Sequence, residues 1–344
     1  DGQGLHVLAE SSTSPTLKRL YQQLREIFPD LKWHVHDPLS TSQFRAGIQL
    51  AYGKDVRPVY DFSRPDVILS IDADFLADGP GNLRYARQFS QRRNVVGRDA
   101  AGGRINRLYA IECTPTLTGA AADHRWGLRP SEVPSFMRAL MQALKIPGVQ
   151  NVPEQAPLDP QLVNAIADDL RGPNGEPTPG RALVVVGETQ PAEVHAMAHA
   201  VNDTLGASGS AVQWIAAPDS VPAAEAASLA DLVDEINEGR VELLLVLGGN
   251  PVFTAPHEMR LGDALPRVPV SVHHSLYEDE TSAACQWHVP ATHFLEAWDD
   301  IRAFDGTAGI IQPVISPLFA GKTIHEVLSL LISDEQQSAK QIVQ

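Results

Sequence analysis

The chain is poor in cysteine, in aromatic residues and in positive charge, and it has no long apolar run. Each shortage narrows what it can be. Its two cysteines, Cys113 and Cys285, stand far apart with no CxxC or CxxH spacing, so the chain carries no Cys-type zinc or iron–sulfur motif. They read as two packed, unpaired thiols rather than a bridge. No apolar stretch approaches the ~20 residues of a spanning helix, so direct membrane insertion is not expected. With 27 Lys and Arg against 42 Asp and Glu, the formal charge of −15 repels a phosphate backbone and argues against nucleic-acid binding. No GxGxxG follows an apolar run, which sets aside a nicotinamide dehydrogenase. The first residue is Asp1, with no Met and no export segment before it, so the chain reads as a piece of something longer.

What is present alternates between short apolar runs and amphipathic stretches. Leu5 to Ala9, Leu31 to His36, Val67 to Ile71 and Ile105 to Ile111 read as strands, with helices after the several possible N-caps of Ser11 to Thr16, around Gln43 to Tyr52, over Leu83 to Phe89 and from Ser131. A Pro/Gly-rich stretch from Pro147 to Gly180, with one amphipathic segment at Leu162 to Leu170, reads as a boundary. The same logic then restarts. Ala182 to Val186 is a strand, Ala192 to Leu205 a helix, Val212 to Ile215 a strand, Ala223 to Gly239 a helix and Val268 to Val272 a strand. Between the last two lies Val241 to Pro256, VELLLVLGGNPVFTAP, which reads as a strand buried on both faces and stopped by a turn. The expected fold is α/β: two Rossmann-like doubly wound domains with mainly parallel sheets, over 1–150 and 181–344, joined by a linker at 151–180, with a cleft between them.

Ligands of open α/β sheets bind beyond the carboxyl ends of the strands, so those turns are the candidate sites. They are Gly248, Gly249, Asn250 and Pro251 after the VELLLVL strand, Asp72 and Asp74 after VILSI, and Gly187 and Glu188 after ALVVV. Asp72 and Asp74 offer a base or a metal site, although a plain turn and helix cap explains them as well. Glu188 follows Gly187 where a phosphate loop needs open backbone. Arg84, Arg87, Arg92 and Arg93 suit either an anion or a solvated face. His195 and His199, spaced i, i+4, read as surface histidines because no third ligand accompanies them. His273, His274, His288 and His293 fall in one region without a metal-binding spacing, and His34 and His36 read as structural.

The second half resembles the third domain of the molybdopterin oxidoreductases. The residues that carry this are GGNPVFTAP followed by SLYEDETSAACQWHVPATHFLEAWDDIRAFDGTAGIIQP. Glu280 and Thr281 match the family's acidic-Thr pair, Val289 and Pro290 its Leu-Pro, and Glu296 the Glu that follows, while Cys285-Gln286 replaces the usual Ala-Asp. RPDVILSIDADFL resembles the second-domain strand and turn, with Asp72 where the family has Gly, and Arg129-Pro130-Ser131-Glu132 stands for Arg-Pro-Gly-Thr. Within that family the chain is most similar to the B subunits of alternative complex III, a quinol-oxidising respiratory assembly, through SSTSPTLKRL, FPDLKWHVHDP, GETQPAEVHAMAHAVNDTLG and His293 to Leu328.

The resemblance implies a cofactor-less, non-catalytic module that acts as a scaffold in an iron–sulfur subunit, with no catalytic or metal residues of its own. Iron–sulfur clusters would then lie in a C-terminal part absent from this chain, partners would be haem c and integral membrane subunits, and the location would be the periplasmic face of the bacterial inner membrane. Gly248, Gly249, Asn250, Pro251, Asp72, Asp74, Gly187, Glu188, Glu280 and Thr281 would be the vestige of a pterin-nucleotide site. Two alternatives stand beside this: an active molybdenum or tungsten fragment binding bis-molybdopterin guanine dinucleotide, and a two-lobed small-molecule binding protein.

Overall fold

The computed structural model describes residues 1–39, 41–94, 105–149, 157–333 and 335–344. In chain order its strands are β1 (Leu5–Ala9), β2 (Lys32–Val35), β3 (Val56–Tyr60), β4 (Val67–Ile71), β5 (Arg107–Glu112), β6 (His124–Gly127) and β7 (Ala182–Val186). They continue as β8 (Val212–Ala216), β9 (Leu243–Leu247), β10 (Val270–Ser275), β11 (Trp287–Pro290), β12 (Asp299–Arg302) and β13 (Ala308–Ile311). The fold is α/β with mainly parallel sheets, as the alternation of strands and helices predicts.

The chain divides elsewhere than its composition predicts. One unit is Asp1–Ser40 with Pro218–Gln344; the other is Thr41–Ala217. The expected domains 1–150 and 181–344 are therefore corrected. Pairing partners decide the matter: β1 hydrogen-bonds to β9, and β7 to β4. The Pro/Gly stretch at Gly172 to Gly180 is a loop inside the second unit; 151–156, the start of the expected linker, lie outside the described residues.

The discontinuous unit holds a five-stranded parallel sheet in the order β11-β10-β9-β1-β2. Successive side chains of a strand point to opposite faces, so a sheet covered on both sides needs apolar residues at every position. Val7, Leu245 and Leu247 pack on one face with Leu17, Leu20 and Leu24 of the helix Pro15–Ile27. Leu8, Leu244 and Val246 pack on the other with Leu232 and Ile236 of the helix Leu229–Asn237. The LLLVL of VELLLVL is thus a central strand, as read from the sequence, with Val241 and Glu242 lying before it. The helix expected over Ala223 to Gly239 is shorter, because Ser228 caps it through a reciprocal bond with Asp231.

The continuous unit has a parallel sheet in the order β6-β5-β4-β7 and a separate antiparallel pair, β3 with β8. Leu69, Ile71, Ile111 and Val184 meet the helices Val133–Ala143, Pro160–Arg171 and Ala192–Thr204. Phe62, Phe75 and Phe89 form an aromatic cluster in the same unit, with Phe62 and Phe75 stacked at 4.2 Å.

Candidate functional site

In the discontinuous unit the strand-end turn after β9 is made by two glycines. Gly248 (φ 78°) and Gly249 (φ 64°) both occupy the left-handed region, where a Cβ is disfavoured. The turn is braced by neighbours: the Gly248 amide donates to the His274 carbonyl at 2.8 Å, and the Gly249 carbonyl meets His273 Nε2 at 3.0 Å. The distant pair read from the sequence does reach this turn. Asn250 Nδ2 donates to Glu280 Oε2 at 2.6 Å, Thr281 Oγ1 donates to Asn250 Oδ1 at 2.7 Å, and the Val252 amide donates to Thr281 Oγ1 at 3.0 Å. The Asn250 amide holds the Glu280 carboxyl below its usual range. Asn250 therefore spends both ends of its side chain inside the protein, locking the start of the short helix Glu280–Ala284 onto the turn after β9.

A residue not singled out from the sequence decides the electrostatics of this turn. Glu10, directly after β1, places Oε1 3.2 Å from where a Cβ on Gly249 would stand. Desolvation, and then Asp37, push the Glu10 carboxyl above its ordinary value. The crevice between the ends of β1 and β9, lined by Glu10, His36, Gly248, Gly249, Asn250, Pro251 and Thr254, has a volume of only about 10 Å³. That is room for about one water. A glycine turn can offer amides to an anion, but here a carboxylate already lies against it. The available signal was Glu10 itself, an acidic residue closing an otherwise apolar strand.

The strand-end residues of the continuous unit are also spent internally. Asp72 has a positive φ of 52°, the conformation for which glycine is best suited. Its Oδ1 accepts from the Cys113 amide at 2.9 Å and its Oδ2 from Gln190 Nε2 at 2.9 Å, which ties β4, β5 and the loop after β7 together. Asp74 Oδ1 accepts from the Thr118 amide at 2.9 Å and from Thr118 Oγ1 at 2.8 Å. Gly187 is required by crowding, because a Cβ there would overlap the Asp72 carbonyl oxygen. Desolvation and Asp78 raise the Glu188 carboxyl, against the opposing charge of Arg57. Glu112, another residue missed in the sequence, is buried at the end of β5 with Arg125 on Oε1 and Thr116 Oγ1 on Oε2 at 2.7 Å.

The other candidates resolve in the same way. Both cysteines are free. Burial and the adjacent Asp72 push the Cys113 thiol up to about 11, so it is a thiol and not a thiolate at neutral pH. Arg92 pairs with Asp66, and Arg93 with Asp123, so half of the arginine run closes the fold locally. His195 and His199 are not at the surface: both are buried, and the expectation is corrected. Gly47 allows the helix Ser42–Tyr52 to approach so closely that a Cβ there would overlap the His195 Cβ. His195 then packs edge-on against Phe44 at 5.4 Å, and His199 against Tyr52 and Trp214 at 5.6 and 5.2 Å. The alanines at 192, 196, 198 and 200 were the available sign of such a close helix contact. His34 stacks on His6 at 5.2 Å in the core and is structural.

His273 and His288 approach each other, with ring centroids 6.1 Å apart and Ser275 between them, whereas His274 turns away to the Lys322 carbonyl at 2.7 Å. Among the described residues the group with metal-like spacing is Asp299, Asp300 and His325. It is already satisfied in part: His325 Nε2 lies 2.7 Å from Asp299, and Asp300 receives Ser14 Oγ, the Thr16 amide and Thr16 Oγ1.

No family model matches the chain. Over 92 residues, 26% of this chain and 13% of the other, it is 32% identical to the menaquinone reductase molybdopterin-binding-like subunit of Nitratidesulfovibrio vulgaris. Among solved structures it is similar to acetylene hydratase from Pelobacter acetylenicus, with a TM-score of 0.66 and 13% identity over 95% of this chain and 55% of that one. It is also similar to a chain of the formyltransferase/hydrolase complex from Methylorubrum extorquens, with a TM-score of 0.58 and 15% identity over 96% and 91%. The matched part thus spans about an eighth of the curated relative and about half of the hydratase, and the likeness to the solved structures is one of fold.

Proposed function

We propose that this chain is a molybdopterin-oxidoreductase-like module that has given up its nucleotide site and serves as a docking scaffold within a quinol-linked respiratory complex. The observation that carries the reading is Glu10 lying against Gly249 in a crevice of about 10 Å³. A pterin nucleotide would bring pyrophosphate to a turn of this kind, and a carboxylate there repels it. The residues present do not fit that group, so no catalytic step is assigned to it. Asn250, Glu280 and Thr281 retain the frame of the turn and spend their polar groups on one another.

The docking half of the proposal rests on a surface of the discontinuous unit. Phe294, Leu295, Val314, Ile315 and Leu318 are all exposed large apolar residues. The Val314 and Ile315 amides both donate to the Leu295 carbonyl, at 2.7 and 3.1 Å, and the Leu318 amide donates to Glu296 Oε1 at 3.1 Å. These bonds bring the two segments that carry the exposed apolar residues together, and exposed apolar residues so gathered mark a protein interface. Its proposed occupant is another subunit of the complex, consistent with a local relative that is itself named as a subunit. Haem c and integral membrane subunits at the periplasmic face, with iron–sulfur clusters in a further part of the parent protein, follow from the resemblance to alternative complex III and are part of this proposal.

Elemental analysis for molybdenum and tungsten, with pterin fluorescence after oxidation, tests the first half on the purified chain. Background content is expected. Stoichiometric metal with pterin would sink the scaffold reading in favour of the active bis-pterin enzyme. Native purification followed by subunit analysis tests the second half, with Leu318→Glu expected to release the chain from its complex.

A further inference from the structure

A second cavity lies in the discontinuous unit, away from the strand-end turn, and is far larger, at about 390 Å³. That is within the range of small-molecule sites. Trp298, Pro317, Ala320 and Ala339 give it an apolar wall, and Lys322 and Lys340 line the same space. Neither lysine makes an ion pair among the described residues; Lys340 Nζ sits 5.4 Å from the Trp298 ring centroid.

The carboxylates in the wall accept hydrogen bonds from neighbouring backbone and hydroxyl groups, Glu296 through both oxygens and Glu326 through one. Glu296 uses both oxygens, accepting from the His293 amide at 3.0 Å and the Leu318 amide at 3.1 Å. Glu326 Oε2 accepts from the Thr323 amide at 2.9 Å and from Thr323 Oγ1 at 3.1 Å, as the return half of a helix capping box. Two cations and two carboxylates thus line one cavity, with no ion pair between them among the described residues. In a chain of net charge −15 the two lysines offset the two glutamates of the wall, which leaves the lining formally neutral.

The lysine-bearing loop is also built rather than loose. Ala320 is held at a φ of 53°, a conformation that costs a non-glycine residue energy and persists only when its surroundings impose it. Gly321 brings the backbone so close to Ala291 that a Cβ would stand 2.9 Å from the Ala291 carbonyl oxygen. The Lys322 amide donates to the Pro290 carbonyl at 3.0 Å, and the Lys322 carbonyl accepts from the Thr292 amide at 3.1 Å and from His274. Lys322 is thereby fixed to the end of β11 at one side of the cavity.

We propose that this cavity binds a small amphiphilic organic anion, its carboxylate held between Lys322 and Lys340 and its apolar body lying along Trp298. Charge-assisted hydrogen bonds to two ammonium groups supply the head-group selectivity, and the indole supplies contact area for a flat or aliphatic body. This cavity is separate from the strand-end turn, and ligand binding in it is read on the chain alone, without a docking partner.

Isothermal titration of the chain with 2-naphthoate, 2-naphthol and inorganic phosphate tests it. 2-Naphthoate is expected to saturate one site with a Kd below about 1 mM. 2-Naphthol, without the charge, and phosphate, without the body, are each expected to bind at least about tenfold more weakly, and Lys322→Met and Lys340→Met to lose a similar factor for 2-naphthoate. Rising salt is expected to weaken the wild-type interaction, which keeps the test open should a lysine variant fail to fold. Equal binding of naphthoate and naphthol, equal binding of phosphate, no saturation, salt-independent binding, or unchanged affinity in folded lysine variants would each overturn it.

Discussion

Gly187 and Gly53 make opposite use of a missing side chain. Gly53 (φ 62°) closes the helix Ser42–Tyr52 with open space around it, so Gly53→Ala is expected to cost only the conformational penalty, about 1 kcal/mol. At Gly187 the Asp72 carbonyl oxygen fills the place of a Cβ, so Gly187→Ala is expected to cost about 3 kcal/mol by urea denaturation. His6, His195 and His199 set a second residue-scale expectation. Burial pushes each down to about 4, with His34 adding to the effect on His6 and His195 to that on His199. The folded state therefore binds fewer protons than the unfolded chain below the ordinary histidine value of 6.5. Stability is full above pH 6.5 and is lost as pH falls from there through about 4. Urea midpoints across that window should drop steadily, and His199→Gln should flatten the drop; an unchanged midpoint down to pH 4.5 would contradict the buried neutral imidazoles.

At the scale of elements, the antiparallel hairpin β12–β13 is joined to the helix Pro15–Ile27 through one carboxylate. Asp300 accepts from Ser14 Oγ, from the Thr16 amide at 3.1 Å and from Thr16 Oγ1 at 2.7 Å, while Ser14 caps the helix through the Leu17 amide at 3.0 Å. Asp300→Ala leaves those donors with fewer partners beside a helix N-terminus that favours negative charge, and is expected to cost about 3 kcal/mol in chemical denaturation. Asp300→Asn keeps part of the network and should cost about half as much. This contact shows where sequence reading stops. SSTSPT announces a helix start with several possible caps, of which the structure uses Ser14, but nothing local to it reveals a carboxylate 286 residues away. The central strands were legible because burial on both faces leaves unbroken apolar runs such as ALVVV and LLLVL. The short strands β3, β6 and β11–β13 were not, because half-exposed pairs carry mixed sequences such as DDIR and HRWG. The site followed the same division. Asn250, Glu280 and Thr281 were found together through their resemblance to a family, whereas Glu10 was hidden by its distance in sequence from Gly249.

For the whole molecule, the order of pairing and the order of composition disagree, and an excision experiment distinguishes them. Thr41–Ala217 is one continuous stretch holding β3 to β8, all of whose sheet partners lie within it, together with the core built on Leu69, Ile111, Phe136 and Val184. A compact unit with its own core is expected to fold alone. The stretch 181–344, which Pro and Gly content marks as a domain, lacks β1, the strand hydrogen-bonded to β9 in the middle of its sheet, and carries β7 without β4. It would expose one edge of β9 and the apolar residues that Val7 and Leu8 cover. Expressed separately, 41–217 should show a single cooperative thermal transition and dispersed amide resonances, while 181–344 should aggregate or melt without a transition. Adding back 1–40 joined to 218–344 through a short Gly/Ser linker should restore a cooperative transition to the other unit, since that construction returns β1 and β2 to the edge of β9. Cooperative folding of 181–344 by itself would show that composition, not strand pairing, sets the units of this chain.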